Sequence, residues 1–398
     1  MPSCLRNSAL CNMKELYFDN SATTPLSNGA RNAAIRVMDV YGNPSSLHSA
    51  GLAAEKELNA ARNAVLAALG SDKTKGRLVF CGCGSEANNL AVLGAARAKS
   101  FRGTPTVIIT DSEHPSIENQ VRVLENEGWR AVRISTRGGQ LDMAQLEAAL
   151  DANTAIVSLM HVNNETGAVY DVTAAFKTAR KKAPQAFLHC DAIQAFLKIP
   201  LNVHRLGCDA VSVSAHKVGG MKGVGALWYT PEVEKQKRLS PVIYGGGQEA
   251  GLRSGTENTV GIASFGGAVA ENSACLAESA RKCRALTEQI ISALGSTKEI
   301  SFNLPPVRAP HILSITNSRV RSETLVHFLS SKGIFVSAGS ACSSHAKHPS
   351  SSLISFGLAP DKAEKTVRVS LSADYTPDDI TYFCECLKEG VTTLAGAR

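Results

Sequence analysis

One lysine of this chain lies in a setting that suits covalent chemistry. In the string SVSAHKVGG, residues 212–220, an apolar strand-like run ends directly at His216 and Lys217 and then enters a glycine-rich turn. Partial burial at a strand end lowers the pKa of a lysine and frees the neutral amine that forms Schiff bases. A solvated loop lysine explains this local string equally well, so Lys217 alone leaves both interpretations open.

A second candidate group precedes it at the end of another predicted strand. Asp191 lies in HCDAIQ, residues 189–194. A carboxylate at this position can hold a pyridine nitrogen in its protonated form, which makes pyridoxal phosphate (PLP) an effective electron sink. A strand-end aspartate is as often only a helix cap.

A small-residue loop supplies the third element of the pattern. CGCGSEANNL, residues 81–90, joins a predicted strand to a helix that opens with Ser and Glu. Small residues let a phosphate approach the backbone, and a helix N-terminus offers free N–H groups and a favourable dipole. No GxGxxG motif follows a strand, so an anion-binding loop, Asp191 and Lys217, in that order, favour a PLP-binding domain over a dinucleotide-binding one.

The elements that must position these residues can be predicted from periodicity. Short β-rich runs alternate with helical stretches between residues 77 and 229, which indicates βαβ units and a mainly parallel sheet covered on both faces. The predicted strands are 77–80, 106–110, 130–135, 155–160, 187–191, 210–215 and 225–229, and the predicted helices include 86–99, 116–127, 143–150 and 172–182. Binding groups are expected just beyond the carboxyl ends of such strands.

A change of pattern marks a second domain. The glycine-rich segment 244–255 is followed by a long helical stretch, 261–294, and then by HILSITN, GIFVSAG and TVRVSLS, which are typical of strands. We therefore predict a large domain over residues 28–262. A smaller α+β domain is predicted from residues 1–27 and 263–398.

Composition excludes several classes of protein. The chain has 398 residues, a net charge of +7 and 19% charged residues that are scattered, so no basic stripe for nucleic acid is present. No apolar run approaches the length of a membrane span, and the first residues carry no targeting pattern, which predicts a cytoplasmic protein. The 11 cysteines lack the spacing of a disulfide framework or a zinc site, so we expect reduced thiols and no metal.

Taken together, the motifs resemble one known family along nearly the whole chain. They are YFDNSATTP, GNPSSLH, GSEANN, SEHPSI, HVNNETG, DAIQ, SAHK, GLRSGTEN, GSACSS and VRVSLS. In this order they are similar to those of the NifS/IscS-type cysteine desulfurases of the class V aminotransferase family. The resemblance implies a fold-type I PLP-dependent transferase of the α/β class, with a large domain built on a mainly parallel seven-stranded sheet and a smaller α+β domain.

The resemblance also assigns roles to individual residues. Lys217 is implied as the Schiff-base lysine, with Asp191 on the pyridine nitrogen, Gln194 near the phenolic oxygen and His114 stacked on the ring to handle protons. The phosphate is expected to be held by Gly84, Ser85, Ser214, His216 and by Thr256, which in the family comes from the other subunit of a homodimer.

The substrate and the sulfur are assigned in the same way. Asn164 and Arg368 match the family's substrate-binding residues, and a guanidinium suits bidentate capture of an α-carboxylate. Cys342 matches the nucleophilic cysteine, in a Ser-rich segment with the composition of a mobile loop. L-cysteine would thus yield L-alanine and a persulfide on Cys342. The persulfide would pass to a sulfur acceptor or iron–sulfur scaffold protein.

Two departures and three alternatives accompany this prediction. Cys83 replaces a glycine of the usual phosphate loop, and Ala250 replaces an arginine in GGGQEAGLRSGT. A selenocysteine lyase uses the same chemistry without necessarily needing Cys342. The remaining alternatives are a PLP-binding scaffold without catalysis and a general transaminase.

Overall fold

The computed structural model describes residues 15–101, 103–339 and 350–394. The strands are β1 (Leu16–Tyr17), β2 (Arg77–Cys81), β3 (Thr106–Thr110), β4 (Arg130–Ile134), β5 (Thr154–Met160), β6 (Phe187–Asp191), β7 (Ala210–Ser214), β8 (Gly225–Tyr229), β9 (Ile300–Phe302), β10 (Ile312–Asn317), β11 (Ile334–Phe335) and β12 (Thr366–Ser370). The helices are α1 (Asn28–Met38), α2 (Ser49–Ala68), α3 (Gly84–Arg97), α4 (Pro115–Asn126), α5 (Met143–Ala149), α6 (Val172–Lys182), α7 (Val203–Leu206), α8 (Pro231–Lys235), α9 (Thr259–Leu294), α10 (Ser322–Ser331), α11 (Ser351–Phe356), α12 (Pro360–Ala363) and α13 (Pro377–Thr393).

A seven-stranded sheet forms the centre of the molecule, with the order β2-β8-β7-β6-β5-β3-β4. Its strands are parallel except at β8, which runs antiparallel to both β2 and β7. The expectation of a mainly parallel seven-stranded sheet is therefore confirmed. Since β6 and β7 are parallel neighbours, with Asp191 opposite Ser212, their carboxyl ends open onto the same edge of the sheet.

The strands carry continuous apolar runs because both faces of the sheet are buried. Leu78 and Phe80 of β2 pack into one core and Val79 into another, and the same alternation separates Ile108 from Val107 in β3. Successive side chains of a strand point to opposite faces, so a sheet covered on both sides needs apolar residues at every position.

A third core lies in the remainder of the chain. It contains Phe18, the last turns of α9, and apolar residues of β10, β12 and α13. A three-stranded antiparallel sheet, β12-β10-β9, is part of it, and β1 pairs in parallel with β11.

The helix α9 connects these regions. Its first turns place Ile262 and Phe265 in the core of the large sheet, and its last turns place Ile290 and Leu294 in the third core. The predicted domain boundary between residues 262 and 263 falls within this 36-residue helix, and the division itself stays a prediction. Within the described ranges, no helix combines the length and apolar character required to cross a bilayer.

Candidate active site

A cavity opens at the carboxyl ends of β6 and β7, beside the first residues of α3 and α4. A concave site with a few convergent polar groups is typical of a binding site for a small organic molecule. Most of the residues predicted from the sequence line it: Gly84, Ser85, His114, Asn164, Asp191, Gln194, Ser214, His216, Lys217 and Arg368. The fold therefore brings together groups from six separate segments of the chain.

Lys217 follows β7 in a short helical turn that directs its amine toward the N-terminal segment. Its Nζ donates to the backbone carbonyls of Ser21, at 2.6 Å, and Ala22, at 2.9 Å. The Ser21 carbonyl also accepts a 2.8 Å hydrogen bond from Nε2 of Gln194. The motif YFDNSATTP thus acts locally as a backbone acceptor for two predicted site residues.

Asp191 ends β6 with 5% of its surface exposed. Its Oδ1 accepts from the backbone N–H of Ile193 at 3.0 Å, and its Oδ2 accepts from Nδ2 of Asn88 at 2.8 Å. These two bonds orient the carboxylate at the floor of the cavity. The bond to Ile193 is of the helix-cap type, but the buried amide of Asn88 shows that Asp191 is more than a cap.

His114 is the N-cap residue of α4, where Pro115 occupies the first helical position. Its Nδ1 accepts from the backbone N–H of Ser116 at 3.1 Å. Burial lowers the pKa of His114, the nearby Lys217 lowers it further, and the Asp191 carboxylate opposes both effects. The ring is therefore neutral near pH 7.

The phosphate end of the cavity is formed by α3 and β7. A Cβ at Gly84 would lie 2.5 Å from Cδ1 of Ile193, so a side chain there would have to displace the end of the Ile193 side chain. The N-cap residue Cys83 makes no side-chain cap bond, which leaves the first N–H groups of the helix without an internal acceptor. The hydroxyl of Ser214 is buried and has no partner among the described residues.

These features fit the phosphate of PLP. An anion at the start of α3 would accept from the free N–H groups and from Ser214, which otherwise stay unsatisfied. His216 stands at the same end, with burial and the two lysines Lys217 and Lys222 lowering its pKa to about 4. Cys83 has extended backbone with φ of −172°, so a side chain at this position requires no left-handed conformation.

Two predicted features lie away from this cavity. Thr256 is exposed and does not line it. Ala250 lies in a short turn with φ of 56°, a left-handed conformation that a non-glycine residue rarely adopts. Nothing in the surrounding contacts explains why alanine occupies this position.

The substrate end is formed around Arg368 of β12. This side chain is only 2% exposed, and its guanidinium pairs with Oδ1 of Asp19 at 2.7 Å. It also donates to the backbone carbonyl of Asn164 at 3.0 Å, whereas its Nε has no partner among the described residues. Arg368 is thus a buried, oriented cation beside the cavity rather than a surface charge.

Cys342 lies outside the described residues, as does the rest of segment 340–349. On its C-terminal side, the hydroxyl of Ser350 donates to Oε2 of Glu165 at 2.6 Å. Burial raises the pKa of Glu165, although Ser350 and Arg368 both act against the shift.

Sequence reasoning missed several residues that the site uses. Asp19, Asn88 and Ser116 were each inside or beside a quoted motif, but their roles depend on partners that are distant in the chain. Asp19 pairs with a residue 349 positions away, and Asn88 with one 103 positions away. The available signal was a polar side chain beside small residues, namely Asp19 in YFDNSATTP and Asn88 in GSEANN.

Comparison with known proteins is consistent with this geometry. Residues 16–383 match the aminotransferase class-V family. A cysteine desulfurase from Trichormus azollae is 36% identical over 388 residues, which cover 96% of this chain and 94% of that protein.

Two solved structures extend the comparison to the fold. A NifS-like protein superposes with a TM-score of 0.87 at 30% identity, covering 94% of this chain and 99% of the other. SspA in complex with cysteine superposes with a TM-score of 0.77 at 30% identity, covering 91% and 100%. The expected fold is confirmed, and the chain belongs to the aminotransferase class-V family, within which it is a member of the cysteine desulfurases of the NifS/IscS type.

Proposed function

We propose that this chain is a PLP-dependent cysteine desulfurase that converts L-cysteine into L-alanine and retains the sulfur as a persulfide on Cys342. The observation that carries the proposal is the shared cavity of Lys217, Asp191 and the buried Arg368. A strand-end lysine and aspartate suit PLP, and a buried guanidinium suits an amino-acid carboxylate. The similar protein SspA, whose solved structure is a complex with cysteine, supports the choice of amino acid.

When bound, PLP would act as an electron sink that withdraws electrons from the α-carbon of an amino acid. Asp191 would hold its pyridine nitrogen, Gln194 its phenolic oxygen, and Lys217 its carbonyl carbon. Its phosphate would be bound by Gly84, Ser85, Ser214 and His216 of this subunit.

At the substrate end, Arg368 would bind the α-carboxylate of cysteine. Asp19 and the carbonyl of Asn164 hold the guanidinium in one orientation, so the substrate meets a preorganised cation. Lys217 Nζ would then take the α-proton, since Lys217 lines the same cavity as Asp191 and Arg368.

Cys342 would complete the reaction. Its thiolate attacks the sulfur of the substrate, a sulfur–sulfur bond forms and the carbon–sulfur bond of cysteine breaks. The carbon skeleton takes up the protons and leaves as L-alanine, and Cys342 carries the transferred sulfur as a persulfide. An acceptor thiol, or a scaffold protein for iron–sulfur clusters, would attack the outer sulfur.

A homodimer is part of the proposal. Large apolar side chains are exposed on and between α1 and α2, among them Tyr41 at 89% and Leu47 at 94%. Thr256 is also exposed, so it is free to reach the phosphate site of a second subunit.

A cytoplasmic location is the remaining expectation, supported by the absence of a disulfide spacing pattern among the 11 cysteines.

An absorbance spectrum followed by cysteine addition tests the proposal. The purified protein should show a visible PLP band that Lys217→Ala removes, and it should form alanine and, under a reductant, an equal amount of sulfide. Cys342→Ala should keep the band and lose sulfide release from cysteine.

Three results would contradict the proposal. Protein that shows the PLP band but forms no alanine would favour a non-catalytic scaffold. Turnover of selenocysteine but not cysteine would favour a lyase, and pyruvate release that requires an α-keto acid would favour a transaminase.

A further inference from the structure

A continuous chain of hydrogen bonds joins His114 to Asp191 through two side chains outside the predicted site. Asn88 Nδ2 lies 2.8 Å from Oδ2 of Asp191 and 2.9 Å from Oγ of Ser116. Ser116 Oγ in turn lies 2.8 Å from Nδ1 of His114. Asn88 is fully buried, whereas His114, Ser116 and Asp191 line the cavity, so this chain of bonds runs along the cavity wall.

The direction of each bond follows from what the groups can donate. The Asp191 carboxylate accepts only, so the Asn88 amide must present its NH₂ group to it. The same NH₂ group donates its second hydrogen to Ser116 Oγ, which leaves the hydroxyl hydrogen for His114. The backbone N–H of Ser116 also points at Nδ1, at 3.1 Å, so Nδ1 faces two donors.

A nitrogen that accepts from two donors carries no proton. The neutral ring of His114 must therefore hold its hydrogen on Nε2, which makes no hydrogen bond to the described residues and is left for the cavity that His114 lines. Protonation of Nδ1 would oppose the Ser116 N–H and the positive end of the α4 dipole.

We infer that Asn88 and Ser116 are positioning residues, which lock His114 in the Nε2–H tautomer and tie its orientation to that of Asp191. The group that His114 presents to the cavity is then a proton donor in the resting enzyme. The structural part of this inference is independent of the reaction, and its consequence for turnover rests on the proposed function.

The tautomer can be measured without cofactor or substrate. In apoprotein labelled with ¹⁵N-histidine, the His114 signals are those lost in His114→Gln. Wild type should show an unprotonated Nδ1 and a protonated Nε2. Ser116→Ala keeps the backbone N–H but removes the hydroxyl donor, so the Nδ1 signal should move away from its wild-type position, and Ser116→Thr, which keeps the hydroxyl, should restore it.

Asn88→Ala and Asn89→Ala form a matched pair one residue apart. Among the described residues, the Asn89 side chain bonds only to the carbonyl of Ser85, so its loss should leave the His114 shifts unchanged, whereas Asn88→Ala should move them. A protonated Nδ1 in wild type, or unchanged shifts in both Ser116→Ala and Asn88→Ala, would overturn the inference.

Turnover provides the second measurement. Ser116→Ala removes the hydrogen bond between Ser116 Oγ and His114 Nδ1, which should lower kcat for alanine formation roughly 3- to 10-fold with little change in KM. Ser116→Thr should restore kcat. An unchanged kcat despite shifted nitrogen signals would overturn the positioning role. If wild type forms no alanine from cysteine, the proposed function fails, and the nitrogen shifts alone decide the tautomer.

Discussion

The two ends of the active-site cavity are assembled in different ways. The cofactor end, defined by Asp191, Ser214, His216 and Lys217, comes from two adjacent parallel strands whose carboxyl ends meet. The substrate end, defined by Asp19, Asn164 and Arg368, joins a residue near the chain's start to one on β12. The first arrangement follows from local pattern, and the second depends on how distant segments pack.

The two ends also differ in how their polar groups are satisfied. At the cofactor end the Ser214 hydroxyl and the first N–H groups of α3 have no partner within the described part of the chain. At the substrate end Arg368 is already paired with Asp19 at 2.7 Å. Open groups favour binding of a new ligand, whereas a paired cation is held in position before the ligand arrives. The following predictions test this contrast, from the largest expected effect on turnover to the smallest.

Lys217→Ala should affect both ends, because the proposed function uses its amine both to bind the cofactor and to take the α-proton. We expect alanine formation to fall by at least about 10³-fold, together with loss of the visible PLP band. The control is Lys222→Ala, an exposed lysine in the same glycine-rich turn, which should retain both. Persistent turnover in Lys217→Ala would remove the lysine from the chemistry.

Arg368→Lys should affect the substrate end alone. An ammonium keeps the charge but cannot reproduce the planar contacts to Asp19, Asn164 and a carboxylate. We expect KM for cysteine to rise about 10- to 100-fold with the PLP band unchanged, as measured by steady-state kinetics and absorbance. Arg319→Lys, in a surface ion pair with Glu299, is the control, and an equal loss of PLP would mean that the two ends are not separable.

Ser214→Ala should affect the cofactor end alone. The lost hydroxyl has no partner among the residues that the structure describes, so the apoprotein should unfold at the same or a higher temperature, while the Kd for PLP rises about 10-fold. Ser212→Ala, two residues earlier on β7, removes a hydroxyl that lies 2.9 Å from Nε2 of His189. That variant should instead destabilise the apoprotein, and the reverse pattern would contradict the assignment of Ser214.

Glu113 lies beneath the cofactor end and should influence stability rather than turnover. Burial raises its pKa to about 8, with the Asp191 charge adding to the shift, although the Met160 N–H and the Thr110 hydroxyl act against it. The folded protein therefore holds a proton there that the unfolded chain releases above about pH 4.5. The stabilisation of the folded protein that comes from the protonated Glu113 carboxyl is complete below about pH 4.5, and it is lost as the pH rises toward 8.

Glu113→Gln should remove this loss of folding stability at higher pH, because glutamine does not titrate. We expect denaturant unfolding of the apoprotein to show a flatter pH dependence between pH 5 and 8 than wild type, with turnover near pH 7 changed by less than about twofold because both side chains are then neutral. An identical pH dependence in the two proteins would show that Glu113 is ionised in the folded state.

The strands and helices around the cofactor end were largely predictable from the sequence. The runs 106–110 and 187–191 were predicted with the bounds of β3 and β6, because strands buried on both faces are uninterrupted apolar segments between turn residues. The antiparallel direction of β8 was not predictable, since a short apolar run carries no sign of its direction. The two-residue strand β11 was also too short for its pairing with β1 to be inferred.

The residues of the candidate site also divide into those that could be predicted from the sequence and those that could not. Lys217 and Asp191 could be selected because each ends a strand and their chemistry is distinctive. Asp19 and Asn88 could not, since an aspartate or asparagine beside small residues is usually a turn or cap residue. Their roles appear only when Arg368 and Asp191 are placed against them.

The sequence by itself determined the family, the alternating βαβ order and the chemical character of the cofactor end, because these depend on residue types at short spacing. Only the tertiary structure decided that Arg368 is buried against Asp19, that Ser214 is left unpartnered, and that Asn88 and Ser116 link His114 to Asp191. The physical reason is that a hydrogen bond or ion pair requires two groups within about 3 Å, and the sequence specifies neither partner when they are a hundred or more residues apart.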